Sequence, residues 1–335
     1  MKPRVSVLVP VFNAAGTLAT CLRSLQRQEF PEFECILVDD GSSDGSAERM
    51  HAFARHDERF IVVKSPHVGI PSILTTGLER CGGEFIARMD ADDWMHRSRL
   101  ALQLQAFEQD PGLDLVGTHV RFFPRAGVEK GMRAYEGWLH SMETADDVAR
   151  ERFIECPLAH PTWMLRRAAL DRLGGYRDEG WPEDYDLLLR LIESGGRAGV
   201  VPRRLLGWAQ HPNRLSRTNP RYSLDAFTRC RASYLATGPL RESDRFLLWG
   251  FGQTGRALRR ALASHRKQLS GLIEVHRGRL GQKIHGAPVV APEDIDQLPR
   301  HPLIVSVAGL GPRTIIRERL SALGRIEGRD YFCAA

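Results

Sequence analysis

Hydrophobic residues in the first part of the chain fall into short runs that alternate with amphipathic segments. Residues 5–11 form a continuous apolar run, VSVLVPV, which is typical of a strand buried on both faces. An amphipathic helix is predicted next, because apolar side chains recur at the three- and four-residue spacing of one helical face: Leu18, Cys21, Leu22 and Leu25. Further apolar runs occupy 34–38, 60–63 and 85–89, with predicted helices between them. This alternation predicts an α/β fold with an open, mainly parallel sheet covered by helices.

The pattern changes in the middle of the chain and then begins again. Residues 114–163 predict a mixture of strands and loop, without a clear period. Near residues 239–244 the alternation restarts with a strand at 245–249, which is followed by a glycine-rich turn and a basic helix. We therefore predict two domains, at 1–240 and at 244–335, the second being a small α/β domain.

Three motif segments lie where predicted strands end. They occupy 10–13, 39–44 and 90–93, and the last two are rich in polar residues. Because ligands bind at the carboxyl ends of strands in open α/β sheets, we expect these segments to share one crevice. Asp90, Asp92 and Asp93 place three carboxylates within four residues. Such carboxylates avoid burial unless a positive charge compensates them, and a divalent cation that also holds phosphates is the usual partner. The sequence thus predicts a metal–diphosphate site.

Composition and charge narrow the class of protein. The chain has 335 residues, 42% hydrophobic and 26% charged, with a net charge of +6. No apolar run approaches the ~20 residues of a membrane span, and no signal-peptide core follows Met1. The scattered cysteines favour a reducing compartment, hence a cytoplasmic protein. No nucleic-acid recognition motif is found.

The arginine-rich stretch at 203–231 leaves two interpretations open. It contains seven arginines and one acidic residue, Asp225. It is either an ordinary solvent-exposed face or a surface that binds phosphate groups. Those phosphates would belong to a donor molecule or to lipids at the inner face of a membrane. Peripheral membrane association is therefore retained as an alternative, and homo-oligomerisation is retained separately.

Four motifs in sequence order resemble those of family 2 glycosyltransferases with the GT-A fold. They are VPVFN at 9–13, VDDGSSDG at 38–45, ARMDADD at 87–93 and GWPEDYD at 180–186. The resemblance covers residues 4 to about 215. It implies transfer of a sugar, with inversion, from a nucleotide-diphosphate donor, most simply a UDP-sugar. The implied acceptor is a glycan or lipid-linked saccharide in cell-envelope or capsule polysaccharide biosynthesis.

The resemblance also implies roles for individual residues. Those implied to contact the nucleotide-sugar are Pro10, Phe12, Asn13, Asp39, Asp40, Arg88 and Asp90. Asp92 and His211 are implied to hold Mg²⁺ or Mn²⁺, which would neutralise charge on the leaving diphosphate. Asp184 is implied to be the base that deprotonates the acceptor hydroxyl.

Several of these positions have structural alternatives. Glu183 and Asp184 also suit the first turn of a helix, and His211 also suits an ordinary surface position. His160 either lines the acceptor side or is structural. His67 stands where relatives often carry Asn. The chain lacks the Q-x-x-R-W motif of processive synthases, which predicts single-sugar addition.

The C-terminal domain carries a second candidate site. Gly250, Gly252 and Gly255 follow a predicted strand and open a helix, and Glu274 ends the next strand. This pattern suits a dinucleotide, with glycines near the phosphates and an acid on the ribose. The domain resembles small Rossmann-like modules found beside sugar-modifying enzymes. It either binds a nucleotide or NAD(P), or serves structure or oligomerisation.

Two other functions are kept beside glycosyl transfer. One is a nicotinamide-dependent nucleotide-sugar oxidoreductase that uses the C-terminal domain. The other is a non-catalytic nucleotide-sugar-binding protein.

Overall fold

A computed structural model describes residues 2–212 and 214–335, and compactness divides the chain into two units. The first comprises Met1–Ala149, Pro157–Glu179 and Asp186–Arg214. The second comprises Arg150–Cys156, Gly180–Tyr185 and Leu215–Ala335. Residues 215–240 thus group with the second unit, although the sequence pattern placed them in the first domain. The predicted boundaries, 1–240 and 244–335, stay a prediction about domains.

Eight strands belong to the first unit. They are β1 Val5–Val11, β2 Phe33–Asp40, β3 Phe60–Ser65, β4 Phe85–Arg88, β5 Trp94–Met95, β6 Leu115–Phe123, β7 Met164–Arg166 and β8 Ala198–Ala209. The helices up to residue 193 are α1 Leu18–Gln26, α2 Ser46–Ala54, α3 Ile70–Leu78, α4 Arg99–Gln109, α5 Lys130–Leu139, α6 Ala145–Glu151, α7 Arg167–Leu173 and α8 Glu183–Glu193. The last two residues of α6 and the first three of α8 group with the second unit.

The first unit is built on one mixed sheet. Its strand order is β3-β2-β1-β4-β7-β6-β8-β5. The strands β3, β2, β1 and β4 are parallel neighbours, as the alternation of strands and helices predicted. Strand β7 is antiparallel to both β4 and β6, and β5 is antiparallel to β8. The α/β prediction is confirmed, and the antiparallel strands β5 and β7 lie at 94–95 and 164–166, outside the apolar runs that predicted the parallel strands.

The first unit's core explains why its strands are so apolar. Val5, Val7 and Val9 of β1 are fully buried, and they belong to the same cluster as Leu18, Leu22 and other residues of the sheet and helices. A strand with helices on both faces has no solvent-facing side, so its residues are apolar without alternation. The alternate residues Leu8 and Ile36 are also buried. The continuous run at 5–11 therefore follows directly from the position of β1 within the sheet.

The second unit contains a sheet of its own, which confirms the predicted second α/β region. Its helices are α9 Leu215–Thr218, α10 Leu224–Thr237, α11 Gln253–Ser264 and α12 Leu310–Ala322. Its strands are β9 Arg245–Trp249, β10 Gln268–Ile273, β11 Lys283–Ile284, β12 Ala287–Val290, β13 Leu303–Val305 and β14 Tyr331–Cys333. They are ordered β11-β12-β10-β9-β13-β14, and β11–β12 is the antiparallel pair.

Across the described part of the chain, none of the helices combines the length and the apolar character that a membrane crossing requires.

Candidate active site

The three motif segments at 10–13, 39–44 and 90–93 lie at neighbouring strand ends of the first unit. In the parallel pair β1–β2, Pro10 lies opposite Val38 and Val11 opposite Asp39. In the parallel pair β1–β4, Leu8 lies opposite Arg88. The carboxyl ends of these three strands therefore share one edge of the sheet, and the segments that follow them lie together there.

Hydrogen bonds join the loop after β1 to the loop after β2. The backbone N–H of Asn13 donates to Ser42 Oγ at 3.0 Å, and Asn13 Oδ1 accepts from the N–H of Ser43 at 2.9 Å. Asn13 adopts a left-handed backbone with φ 48°, a conformation that asparagine tolerates better than most residues. Asp39 is buried and accepts from the N–H of Ser42 at 3.1 Å. Asn13 and Asp39 thus fix the shape of this edge.

An aromatic pair stands beside these loops. The rings of Phe12 and His67 stack with centroids 4.3 Å apart and planes 22° apart, and Phe12 is 48% exposed. Nδ1 of His67 lies 2.9 Å from Asp40 Oδ2 and 3.0 Å from the Asp40 carbonyl oxygen. Both partners only accept, so Nδ1 carries the proton. An exposed ring backed by a fixed imidazole forms a flat platform.

Asp40 is engaged by the chain itself. Its carboxylate is buried and accepts from the N–H groups of Val68 at 2.7 Å and Gly69 at 3.2 Å. At Gly41, with φ 75°, a Cβ would lie 3.0 Å from the backbone nitrogen of His67. Asp40 therefore anchors the 67–69 segment, and the glycine leaves room for that close approach.

The acidic cluster lies directly after β4. Carboxylate oxygens of Asp90, Asp92 and Asp93 are all within 4.8 Å of one another. The Arg88 guanidinium is buried and pairs with Asp90. Asp92 Oδ2 lies 2.9 Å from Nε2 of His211, which follows β8. The structure thus brings together Arg88, Asp90, Asp92 and His211, although His211 is 119 residues from Asp92.

Asp93 is the most buried member of this cluster. It is 1% exposed, and its Oδ1 accepts from the N–H of Ala209 at 2.7 Å. Its Oδ2 is shielded from solvent without a hydrogen-bond partner among residues 2–212 and 214–335. Burial, reinforced by Asp90 and Asp92, raises the pKa of the Asp93 carboxyl well above its usual range. An orphaned, buried carboxylate oxygen fits a site for a cation.

The pKa of Asp92 is also raised, mainly by burial and then by the charge of Asp90. The hydrogen bond from His211 and the charge of Arg214 oppose this shift. The cluster therefore combines oxygen ligands, one imidazole and too little positive charge for three ionised carboxylates. That donor set suits a hard divalent cation.

The sequence profile of glycosyl transferase family 2 matches residues 6–174, half of the chain. This chain belongs to glycosyl transferase family 2. EpsE of Bacillus subtilis (strain 168), named as a glycosyltransferase, is 30% identical over 228 residues, which are 67% of this chain and 79% of EpsE. The amylovoran biosynthesis glycosyltransferase AmsE of Erwinia amylovora is 28% identical over 204 residues, 60% of this chain and 74% of AmsE.

Solved structures show the fold of this family 2 glycosyltransferase. S. aureus TarS in complex with UDP-GlcNAc superposes with TM-score 0.55 at 19% identity, over 78% of this chain and 72% of the TarS chain. The mannosyltransferase PcManGT of Pyrobaculum calidifontis, in complex with GDP-Man and Mn²⁺, gives TM-score 0.51 at 20% identity, over 79% and 70%. The predicted GT-A fold and the predicted glycosyltransferase class are confirmed.

Asp184, the predicted base of this glycosyltransferase, lies in the first turn of α8 and groups with the second unit. Its Oδ1 accepts from the N–H of Tyr185 at 2.7 Å. Its neighbour Glu183 is buried and accepts from the Tyr222 hydroxyl at 2.8 Å. Glu183 therefore has a structural contact within its unit, and the role of Asp184 stays a prediction.

His160 has a structural environment. It is buried, and its Nε2 lies 2.8 Å from the Tyr176 hydroxyl. Burial lowers the pKa of His160 well below its ordinary value, with the charge of Arg88 adding to the shift. The imidazole is therefore neutral, which favours the structural alternative over a place on the acceptor side.

Sequence reasoning missed a group of residues at the end of β8. Arg214 lies over the Trp208 indole at 4.6 Å, and Trp208 packs against Phe122 with ring centroids 5.4 Å apart. Trp208 Nε1 and both amide atoms of Gln210 are shielded and lack partners within the described residues. A signal existed, because Gln210 directly precedes the predicted ligand His211.

Arg99 is a second omission. It is fully buried at the start of α4 and donates to the carbonyl oxygens of Pro161 at 2.8 Å and Arg88 at 3.0 Å, and to Gln103 Oε1 at 2.9 Å. Burial lowers the pKa of Arg99 to about 9, so the group stays charged at neutral pH. It fixes the end of β4, from which the acidic cluster extends.

In the predicted nucleotide-binding segment of the second unit, close packing of the chain explains the glycines. Gly250 has φ 93°, and a Cβ there would lie 2.6 Å from Val307. A Cβ on Gly255 would collide with the Gly250 carbonyl oxygen, while Gly252 is the N-cap of α11. Glu274 is buried and already paired with Arg279 at 2.8 Å and with the N–H of Val275 at 2.9 Å. Because the Glu274 carboxylate is already bonded within the protein, it gives no support to the alternative function as a nicotinamide-dependent oxidoreductase.

Proposed function

We propose that this glycosyltransferase is metal-dependent and inverting, and that it moves a sugar from a UDP-sugar to a glycan or lipid-linked saccharide. The observation that carries the proposal is the acidic cluster at the carboxyl edge of the sheet, with His211 at 2.9 Å from Asp92. Such a cluster suits a metal–diphosphate, which is the leaving group of a nucleotide-sugar.

Asp92 and His211 would hold Mg²⁺ or Mn²⁺, with the unpartnered oxygen of Asp93 beside them. When bound, the ion neutralises the negative charge that develops on the diphosphate as the sugar leaves. The complex of PcManGT with Mn²⁺ supports this proposal. Arg88 pairs with Asp90 and so places a positive charge beside the ligands.

The nucleoside would bind at the same carboxyl edge of the sheet as the acidic cluster, beside the loops that follow β1 and β2. The Phe12–His67 platform offers a stacking surface for a base, and Pro10, Asn13, Asp39 and Asp40 shape the loops around it. Asp90 would meet the ribose. TarS binds UDP-GlcNAc and PcManGT binds GDP-Man, so related folds take either base. We favour uracil because the resemblance of the motifs to family 2 glycosyltransferases implies that Phe12 packs near a pyrimidine.

The transferred sugar would be recognised by Gln210 and Trp208. Their amide and indole N–H groups are shielded and unpartnered within the described part of the chain, and they lie next to His211 and Ala209, which contact the cluster. Buried polar groups need partners, and the hydroxyls of a bound sugar would provide them.

Asp184 would take the proton from the acceptor hydroxyl. An inverting transfer needs in-line attack by that hydroxyl, opposite the departing diphosphate, and a carboxylate can orient and deprotonate it. The bond that forms joins the acceptor oxygen to the anomeric carbon, and the bond that breaks joins that carbon to the diphosphate oxygen.

The product would belong to an envelope or capsule polysaccharide. The name of AmsE, an amylovoran biosynthesis glycosyltransferase, supports this setting. Peripheral association with the inner face of a membrane and homo-oligomerisation stay predictions.

The test is a donor screen with the full chain, with and without Mn²⁺. We expect one nucleotide-sugar to raise the melting temperature only when the metal is present, because ligands that bind the native state stabilise it. Transfer to a glycan acceptor should then disappear in Asp92→Ala and Asp184→Asn while both variants remain folded. Metal-independent transfer, or full turnover by either variant, would contradict the proposal.

A further inference from the structure

A basic cavity of about 350 Å³ lies in the second unit. Its lining residues come from α11 and from the turn between β11 and β12: Gln253, Arg256, Arg259, Arg260 and His285. The three arginines are spaced three and four residues apart, so they project from one face of the helix. Among the described residues, no acidic side chain lines the cavity.

The charges of this basic cluster, Arg256, Arg259 and Arg260, are not compensated by protein carboxylates. In the described ranges 2–212 and 214–335, none of the three forms a salt bridge, and Arg259 Nε is shielded from solvent without a partner. Elsewhere in the same unit, Arg279 pairs with Glu274 at 2.8 Å and Arg317 with Glu327 at 2.9 Å. The basic cluster therefore lacks the carboxylate partners that Arg279 and Arg317 have.

Holding these charges together on one helix is unfavourable. Like charges three and four residues apart destabilise a helix by about 0.2–0.5 kcal/mol per pair. Arg256 also lies in the first turn, at the positive end of the helix dipole, and Gly252 provides no side-chain cap there. A bound anion would offset both the repulsion between the arginines and the unfavourable position of Arg256 at the positive end of the helix.

His285 completes the cavity from a second element. It adopts a left-handed backbone with φ 50°, and its ring lies 6.0 Å from that of Phe251, which follows β9. A second basic cavity, of about 470 Å³ in the first unit, has one arginine paired with a carboxylate, Arg97 with Glu29 at 3.0 Å, while its Arg23 and Arg27 form no salt bridge among the described residues. The α11 cavity differs in that none of its three arginines is paired within the described residues and the Nε of one of them, Arg259, is shielded from solvent without a partner.

We propose that the α11 cavity binds the phosphoryl groups of a diphosphate-bearing small molecule, separately from the acidic cluster. Guanidinium groups match phosphate oxygens in geometry and bind them through paired, charge-assisted hydrogen bonds. Recognition is by the phosphates, since Glu274, the residue expected to meet a ribose, is bonded to Arg279. The inference does not depend on the proposed transfer reaction.

The experiment is calorimetric titration of the full chain with inorganic pyrophosphate in the presence of EDTA, which removes metal from the donor site. We expect binding to the unsubstituted chain and to Asp92→Ala with equal affinity. Arg256→Gln and Arg260→Gln should each weaken it at least about tenfold, through the loss of one charge-assisted contact. Glutamine has a helix propensity close to that of arginine, so α11 should persist.

Arg300→Gln is the matched control, because Arg300 is an exposed arginine of the same unit outside the cavity. It should bind like the unsubstituted chain. The inference is wrong if pyrophosphate does not bind at about 1 mM, if Arg300→Gln weakens binding as much as Arg256→Gln, or if Asp92→Ala alone abolishes it.

A parallel titration with UDP in the Asp92→Ala background identifies the source of the diphosphate. Binding at least about tenfold tighter than pyrophosphate supports a nucleotide, and equal affinity supports the diphosphate alone. Failure of UDP to bind where pyrophosphate binds would exclude nucleotides and leave the phosphoryl inference standing.

Discussion

Each of the two units carries a cluster of three like charges, but the two clusters differ in burial. The acidic cluster, Asp90, Asp92 and Asp93, lies at a sheet edge, with Asp93 1% exposed. The basic cluster lines a cavity on the face of α11, and Arg256 and Arg260 are exposed. Solvent can stabilise exposed charges, whereas buried carboxylates must gain a proton or a cation.

This difference in burial determines how strongly each cluster indicates a bound ion. At the acidic cluster, burial raises the pKa of Asp93 and leaves one of its oxygens without a partner among the described residues, so a counter-ion satisfies two needs together. At the basic cluster, an anion relieves repulsion that water already screens. We therefore expect the acidic cluster to be the more sensitive of the two to substitution.

The largest effect should come from Asp92→Ala. Removal of a ligand next to the leaving diphosphate should reduce transfer at least about a hundredfold, because electrostatic stabilisation of developing charge is lost. Transfer rates at saturating Mn²⁺ measure it. Asp146→Asn, an exposed carboxylate in the first turn of α6, is the control and should keep full activity.

A second substitution compares the surroundings of the two clusters. Arg99→Met should lower the free energy of unfolding by about 3 kcal/mol, since it leaves the carbonyl oxygens of Arg88 and Pro161 buried without their donor. Arg256→Gln should change it by no more than about 0.5 kcal/mol. Urea unfolding of both variants tests this, and similar losses would show that burial is not what separates the clusters.

Gln210→Leu tests the sugar contact beside the acidic cluster. We expect the KM for the nucleotide-sugar to rise about tenfold, because a buried hydrogen bond to a sugar hydroxyl is lost. The affinity for UDP, which has no sugar, should not change. An equal loss of UDP affinity would mean that Gln210 shapes the diphosphate site instead.

The last prediction concerns pH. The pKa of His160 is below its unfolded value of 6.5, so the unfolded chain binds more protons as pH falls below 6.5. The stability present above pH 6.5 should therefore decline toward pH 5, by up to about 1.4 kcal/mol per pH unit from this group. His160→Gln should flatten that decline in urea unfolding, whereas His285→Gln, at an exposed position, should not.

Much of the first sheet could be predicted from the sequence. Strands β1, β2, β3 and β4 were expected because strands covered on both faces are continuously apolar, and the motif segments at the ends of β1, β2 and β4 marked one edge. Strand β8 was not expected, although it has 12 residues. Its buried and exposed positions do not alternate, because exposed Pro202, Arg203 and Arg204 interrupt its apolar pattern.

Local sequence thus determined the carboxylate types, their spacing and the strand that presents them. Only the tertiary structure decided which distant groups meet them. The antiparallel pairing of Trp94 with Gly207 sets the end of β8 beside the acidic cluster, and a side chain at 207 would collide with the Trp94 indole. Ala209 thereby reaches Asp93 and His211 reaches Asp92. Strand pairing depends on contacts between residues far apart in the chain, and the local pattern of apolar and polar residues cannot predict those contacts.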